Sequence, residues 1–156
     1  MSFEDNIVYA NYYLDSATTT NFLVANTYKD IDLTGLNTYK ENNISFNSTK
    51  DNFVTQNTGV FLVQFRATWR GGSNDVYTMQ MTLNGGAVNK SQVQYSTKGS
   101  NFWEVQNLFI VNAPLHSIDD QGYGTSKNTF AFQVKNNNDT TSAYLENLSL
   151  VIFKIG

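Results

Sequence analysis

The feature that most constrains the fold is a strict alternation of apolar and polar residues, which recurs along the chain. Within residues 59–70 an apolar side chain occupies every second position: Phe61, Val63, Phe65, Ala67 and Trp69. Successive side chains of a β-strand point to opposite faces of a sheet, so this alternation predicts a strand with one buried face. Residues 76–83 repeat the pattern, and the Gly, Ser, Asn and Asp residues of 71–75 predict a hairpin turn between the two strands.

The rest of the chain favours an all-β fold. Further strands are predicted at 102–111, 129–134 and 143–155, separated by segments rich in Gly, Asn, Asp and Ser. Turn clusters at intervals of about 10–15 residues are typical of a two-sheet sandwich or barrel. Charged residues make up only 15% of the chain and aromatic residues 14%, a balance that favours strands over charged helices. The 156 residues suit a single domain.

Composition and charge exclude several classes of function. The chain has no cysteine, which rules out disulfides, thiol nucleophiles and cysteine-bound metals, and its one histidine rules out multi-histidine metal sites. The net charge of −3 argues against nucleic-acid binding, which needs clustered Lys and Arg. No apolar run approaches the roughly 20 residues of a membrane helix, and the acidic start lacks the basic region of a signal peptide. We therefore expect no membrane insertion and no nucleic-acid partner.

The last predicted strand is apolar on both of its faces. Leu148, Leu150 and Ile152 point one way, and Val151, Phe153 and Ile155 point the other way. A strand that is apolar on both faces is normally buried on both faces. In a two-sheet domain the second face must be covered either by a partner subunit or by the N-terminal segment of the same chain, and the sequence favours the partner.

Four motifs, taken in order, resemble the C1q/TNF-like jelly-roll family. They are an early strand at 28–32 followed by Asn-Ile-Ser-Phe at 43–46, the run 53–63 with its internal glycine, the strand 77–85 that ends in Asn-Gly, and the final strand 144–155. The similarity is closest to cysteine-free bacterial and phage members, such as the tip domain of the Bacillus exosporium collagen-like glycoprotein and phage head-fibre or decoration proteins. It extends over residues 22–156.

The resemblance implies an antiparallel two-sheet jelly-roll sandwich that assembles as a homotrimer. In this family the final strand lines the threefold axis, which agrees with the two apolar faces of residues 143–155. Candidate trimer contacts are the apolar residues predicted on otherwise polar faces: Leu62, Leu108, Val151, Phe153 and Ile155.

Residues 1–20 have no counterpart in the family pattern, so we divide the chain into this segment and a jelly-roll domain at 21–156. The segment is either an arm that docks to a larger particle or an extra edge strand of the domain. Its apolar and aromatic residues supply the candidate docking contacts: Phe3, Ile7, Tyr9 and Tyr12.

Nothing in the sequence specifies an active site or a cofactor. His116 lies close to Ser117 and Asp119, but closeness in sequence does not supply the geometry of a catalytic triad, and no Gly-x-Ser-x-Gly turn is present. A hydrolase is therefore the weakest hypothesis, and His116 is interpreted as a loop residue. Asp119 and Asp120 offer oxygen ligands for calcium, but a solvated turn is the preferred interpretation because no spaced calcium-loop pattern surrounds them.

Two weaker ligand hypotheses remain. Arg66, Arg70 and Lys90, if they share an outer face, would suit an anionic ligand; isolated basic residues on strands more often serve solubility. Exposed aromatic rings would suit a glycan, and the candidates are Tyr12, Tyr13, Tyr95, Trp103 and Tyr123. Tyr123 is preferred because flanking glycines predict a loop.

We therefore expect a non-enzymatic structural protein, a trimeric capsid decoration or head- or tail-fibre module on the exterior of a bacteriophage-like virion, assembled in the host cytoplasm. Its partners would be further copies of itself and capsid or other virion proteins. The alternative is a carbohydrate-binding module that recognises a host-surface glycan.

Overall fold

The computed structural model describes residues 7–98, 101–114, 117–118, 124–125 and 127–156, and within them every regular element is a strand. The strands are β1 (Tyr9–Leu14), β2 (Thr18–Thr20), β3 (Lys29–Asp30), β4 (Asn37–Asn42), β5 (Ile44–Asn47), β6 (Asn52–Thr55), β7 (Gly59–Arg70), β8 (Val76–Leu83), β9 (Gly86–Ser96), β10 (Phe102–Ala113), β11 (Ser117–Ile118), β12 (Gly124–Thr125), β13 (Asn128–Asn136) and β14 (Ala143–Lys154). No helix in the described ranges is long and apolar enough to cross a membrane.

Most of the strands form two antiparallel six-stranded sheets. Sheet A has the order β10-β7-β14-β1-β4, with β2 also paired to β14. Sheet B has the order β5-β6-β13-β8-β9, with β3 also paired to β13. The remaining pair, β11 and β12, lies between β10 and β13 in the chain. The predicted all-β, two-sheet sandwich is confirmed.

The core lies between the two sheets and follows the predicted alternation. All five apolar residues of β7 that were expected to point inward are fully buried, as are Tyr77, Met79 and Met81 of β8 and Phe130 and Val134 of β13. Aromatic rings dominate the contact between the sheets: the rings of Phe65 and Phe132 lie 5.6 Å apart. Because these side chains bury a large apolar area, the interior contributes most of the driving force for folding.

The segment 7–20 belongs to the sandwich. β1 pairs with β14 on one side and with β4 on the other, so it is an interior strand of sheet A. Residues 18–20 continue along β14 as β2. β1 is therefore neither a free arm nor an edge strand, because two neighbouring strands satisfy its backbone hydrogen bonds, whereas β2 pairs with β14 alone.

Asparagine residues shape the turns. Among the described residues, four of the five non-glycine residues with positive φ are Asn26, Asn43, Asn74 and Asn84, whose φ values lie between 52° and 65°. Asparagine tolerates this left-handed conformation better than other non-glycine residues, because its short amide bonds to nearby backbone. Asn84 also accepts a hydrogen bond from the Thr129 N–H at 2.8 Å. The asparagine-rich composition thus has a structural cause.

The sandwich has two distinct ends. β1 begins and β14 ends at the same one, which we call the terminal end. β7 and β14 are antiparallel, so β7 ends and β14 begins at the opposite, distal end. The loops 21–28, 71–75 and 137–142 lie at the distal end, because each follows or precedes a strand terminus there.

Candidate assembly interface

The strand register of sheet A aligns apolar side chains into one continuous surface on its outer face. Leu62 of β7 pairs with Ile110 of β10 on one side and with Phe153 of β14 on the other, and Phe153 pairs in turn with Tyr9 of β1. In the next row, Leu108 and Val151 flank Gln64. We call this surface the apolar band; its residues are Tyr9, Leu62, Leu108, Ile110, Val151 and Phe153.

The band faces solvent in the single chain. Leu108 is 58% exposed and Phe153 is 42% exposed, although both belong to long, well-paired strands. Isolated exposed apolar residues are ordinary, but a contiguous exposed patch usually marks an interaction surface. The outer face of sheet A therefore carries an apolar surface that this chain's described residues leave open.

The final strand shows the predicted distribution of its side chains. Leu150 and Ile152 are fully buried between the sheets, whereas Val151 and Phe153 point outward. β1 lies beside β14 in the same sheet and does not cover its outer face. The N-terminal segment, as far as it is described, therefore leaves the outer face of β14 open, and the alternative in which it covers that face is not supported.

The two ends of the band differ in shape. At the β10 edge, Leu108 and Ile110 present aliphatic side chains to solvent. At the other end, a shallow groove is lined mainly by Tyr9, Tyr39, Lys40, Val151 and Phe153. The Lys40 ammonium lies 5.8 Å from the centre of the Tyr9 ring, within the range of a cation–π interaction. This contact joins two of the residues that line the groove.

The half of the outer face nearer the distal end is polar and internally paired. Arg66 Nε donates to Glu104 at 2.9 Å, and this bond and the Glu104 charge raise the pKa of Arg66. Arg70 Nε donates to Glu146 at 3.0 Å, and its guanidinium lies 4.2 Å from the centre of the Tyr144 ring. Each arginine is therefore already matched by a carboxylate.

The predicted anionic-ligand face is wrong. Arg66 and Arg70 share the outer face of sheet A, but Lys90 belongs to β9 in sheet B. The three basic residues therefore do not share one sheet face as predicted. In the described part of the chain, no group of three or more acidic or histidine side chains is placed to hold a metal ion.

The candidate trimer contacts all lie on the outward side of sheet A or just beyond it. Leu62 is half-buried, and Ile155, which follows β14, is 49% exposed with its N–H bonded to the Val60 carbonyl at 2.8 Å. Sequence reasoning missed Ile110 and Tyr39. Ile110 has the same parity as Leu108 in β10, which was a usable signal; Tyr39 in β4 offered none because its neighbours are polar.

The candidate docking residues separate into different environments. The structure corrects the docking contact predicted at Tyr12. The Tyr12 side chain is fully buried, with its ring 4.8 Å from the Phe53 ring and its hydroxyl donating to Glu41 at 2.8 Å. Burial raises the pKa of that hydroxyl, and the ring offers nothing to a docking partner. Tyr9 belongs to the apolar band, Ile7 is half-buried at the terminal end, and Phe3 lies outside the described residues.

The candidate glycan and catalytic residues are placed only in part. Trp103 is buried in a stack of rings with Trp69 and Tyr77, so it is unavailable to a sugar, whereas Tyr13 and Tyr95 are partly exposed. His116, Asp119, Asp120 and Tyr123 lie outside the described residues, so the hypotheses on them remain predictions.

The sequence matches no protein-family model and no characterised protein sequence. Its fold does match solved structures across nearly the whole chain. Eiger TNF from S. frugiperda aligns with a TM-score of 0.58 at 12% identity, covering 96% of this chain and 93% of that one. PRD1 vertex protein P5 aligns with a TM-score of 0.56 at 12% identity, covering 96% and 97%. Murine APRIL aligns with a TM-score of 0.56 at 10% identity, covering 94% and 99%. Identities this low establish the fold alone: the chain is a TNF-like jelly roll.

Proposed function

We propose that this chain is a non-enzymatic structural protein that forms a homotrimer through the apolar band and decorates the exterior of a virion, as a capsid decoration or fibre module. The observation that carries the proposal is the apolar band, in which one row of four apolar residues is aligned across four strands of one sheet.

The band supplies a driving force for association. Leu108, Ile110 and Phe153 are each about half exposed in the single chain, so each still has apolar area to bury when two such surfaces meet. Burying that area stabilises the assembly, because removing apolar surface from water is favourable.

The unlike ends of the band favour a ring over a twofold dimer. A twofold contact joins the same patch on both subunits, whereas a cyclic trimer joins two different patches. Aliphatic side chains at the β10 edge and an aromatic-lined groove at the β1–β4 edge are two different patches on one sheet. The resemblance to trimeric jelly rolls supports three subunits.

The virion assignment is supported by composition and by one of the matched folds. A vertex protein is among the structures with this fold. The chain has no cysteine and is rich in neutral polar residues, which suits a protein that folds without disulfides before it assembles. We propose that particle docking uses Ile7 at the terminal end and Phe3, which lies outside the described residues, because β1 itself belongs to the interior of sheet A.

The first experiment measures the solution mass by light scattering after size exclusion. We expect a mass near three times the 17.5 kDa of one chain. Leu108→Asp in the band should give a folded monomer, because a desolvated carboxylate opposes the contact. Leu23→Asp is the matched control, since Leu23 is 87% exposed on a distal loop outside the band. A monomeric wild-type chain, or a trimer that survives Leu108→Asp, contradicts the proposal.

The virion role is tested by deleting a short part of the N-terminal segment. Removing residues 2–20 would delete β1 and β2, so only residues 2–6 are removed. The shortened chain should remain trimeric and lose its place on particles, as measured by immunogold electron microscopy with an antibody against this chain. Absence of the full-length chain from particle surfaces overturns the virion assignment and leaves the trimer untouched.

A further inference from the structure

Two carboxyl groups meet at the distal end and share one amide. Asp75 lies in the loop after β7, and Asp139 lies in the loop after β13. The Asn136 side-chain nitrogen donates to Asp75 Oδ2 at 3.1 Å and to Asp139 Oδ1 at 2.8 Å. Asn136 is fully buried and Asp75 is 5% exposed, whereas Asp139 is exposed, so water screens Asp139 more freely than Asp75.

Further hydrogen bonds tie neighbouring loops to the same point. The Val76 N–H donates to Asn138 Oδ1 at 2.6 Å, and the Asp75 N–H donates to Thr97 Oγ1 at 2.9 Å. The Asn26 N–H donates to the Asn136 carbonyl at 2.7 Å, which attaches the loop 21–28. Four separate parts of the chain therefore converge on the carboxyl pair.

The surroundings of the two carboxyl groups favour a single proton shared between Asp75 and Asp139. Burial and the nearby Asp139 charge raise the pKa of Asp75, whereas the Thr141 N–H stabilises the Asp139 carboxylate and lowers its pKa. The titratable groups that face Asp75 are Asp139 and Tyr77 of β8. In the described part of the chain neither carboxylate forms an ion pair with Lys or Arg. The loop 21–28 contributes no residue that is charged at neutral pH.

We propose that Asp75 and Asp139 form an acid-operated clasp, in which one shared proton joins the loop after β7 to the loop after β13 and its loss loosens the distal end. In the closed state the protonated Asp75 carboxyl donates to the Asp139 carboxylate. As the pH rises, that proton passes to solvent, and the buried negative charge of Asp75 then opposes the charge of Asp139 across one amide.

The sign of the effect follows from the direction of the Asp75 shift. A carboxyl whose pKa is higher in the folded protein than in the unfolded chain binds its proton more tightly when folded. Its stabilising contribution is complete at low pH and disappears as the pH rises through the folded value. Asp139, whose pKa is lowered, contributes stability that is present above the usual aspartate pKa and is lost as the pH falls through its folded value, so the two effects change in different pH ranges.

The clasp controls the presentation of an exposed aliphatic pair. Leu23 and Val24 are 87% and 63% exposed on the loop 21–28, whose position depends on the Asn26–Asn136 bond. Phe22, buried at 5% exposure, anchors the same loop. Opening the clasp therefore loosens one of the two attachments that hold this pair at the distal end. The clasp stands independently of the proposed trimer and virion roles.

Amide hydrogen exchange followed by NMR tests the clasp directly. The Val76 and Asn137 amides bond across it, and the Phe65 amide in β7 serves as the internal reference. In the wild-type chain the protection of Val76 and Asn137 relative to Phe65 should fall at least about threefold as the pH rises through the folded pKa of Asp75. Asp75→Asn should abolish that fall, because an amide donates to Asp139 at every pH.

Asp15→Asn is the matched control, because Asp15 is exposed and its carboxylate accepts from Asn37, which is not part of the clasp; it should keep the wild-type profile. The titration of the Asp75 carboxyl carbon in the wild-type chain provides a second measurement that needs no variant. Protection that does not change with pH overturns the clasp. So does a carboxyl that titrates at or below about 3.9, the ordinary aspartate value.

Discussion

Gln80 Nε2 donates a hydrogen bond to Gln133 Oε1 at 2.9 Å, joining β8 to β13 on the outer face of sheet B. Gln92 donates to Gln80 Oε1 at 2.9 Å, and Gln133 donates to Asp30 at 3.1 Å. We call this chain of side-chain hydrogen bonds through Gln92, Gln80 and Gln133 the amide ladder. Gln80 is only 3% exposed although it points away from the core. Polar side chains thus satisfy one another on the outer face of sheet B, in contrast to the exposed apolar band on the outer face of sheet A.

The amide ladder gives a stability prediction. Gln80→Leu removes a donor and an acceptor from the middle of the ladder and leaves Gln92 and Gln133 without their partner, so we expect a loss of about 1–3 kcal/mol. Urea denaturation measures the free energy of unfolding. Gln94→Leu, on an exposed position of β9, is the control and should change it by less than about 0.5 kcal/mol. Equal losses in the two variants would refute the ladder's role.

The placement of Tyr12 gives a second prediction. Tyr12→Ala removes a ring packed against Phe53 in the core, so it should lower the free energy of unfolding by about 3–5 kcal/mol. Tyr13 is 41% exposed on the opposite side of β1, and Tyr13→Ala should cost less than about 1 kcal/mol. Thermal denaturation followed by circular dichroism compares the two. A Tyr12→Ala chain as stable as the wild type would return Tyr12 to the candidate docking residues.

Local pattern predicted the fold class and the outward face of β14, because alternation in a long strand depends only on neighbouring residues. It failed for β1, where Tyr12 and Tyr13 put an aromatic ring on each face and made the buried side ambiguous. The partners of Arg66 and Arg70 lie 38 and 76 residues away, and no local pattern encodes such contacts. The row from Ile110 to Tyr9 likewise depends on the register of four strands that are distant in sequence.

Gly59 gives a third prediction, at the terminal end. Its φ is +130°, and an added Cβ would collide with the backbone oxygen of Gly156 and the side chain of Lys154. Gly59→Ala should therefore cost about 1–3 kcal/mol and detach the C-terminal residues from β7. Gly35 also has a positive φ, +86°, but an added Cβ there would meet open space, so Gly35→Ala introduces backbone strain without a collision. We expect it to lower the free energy of unfolding by less than Gly59→Ala does. Chemical denaturation of both variants tests the order, and a Gly59→Ala chain that loses no more stability than the Gly35→Ala chain would contradict the collision.

Asp51 gives a prediction about pH. Its Oδ1 accepts the Leu33 N–H at 3.2 Å, while burial and the charges of Asp32 and Asp30 raise its pKa. The raised pKa means that the protonated form favours folding, so this contribution is present at low pH and lost as the pH rises through the folded value. Asp51→Asn keeps the acceptor oxygen and tolerates the positive φ of 51°. We expect this variant to match the wild type near pH 3 and to be more stable at pH 7 in thermal denaturation; a variant that is less stable at pH 7 would show that the charge itself holds the turn.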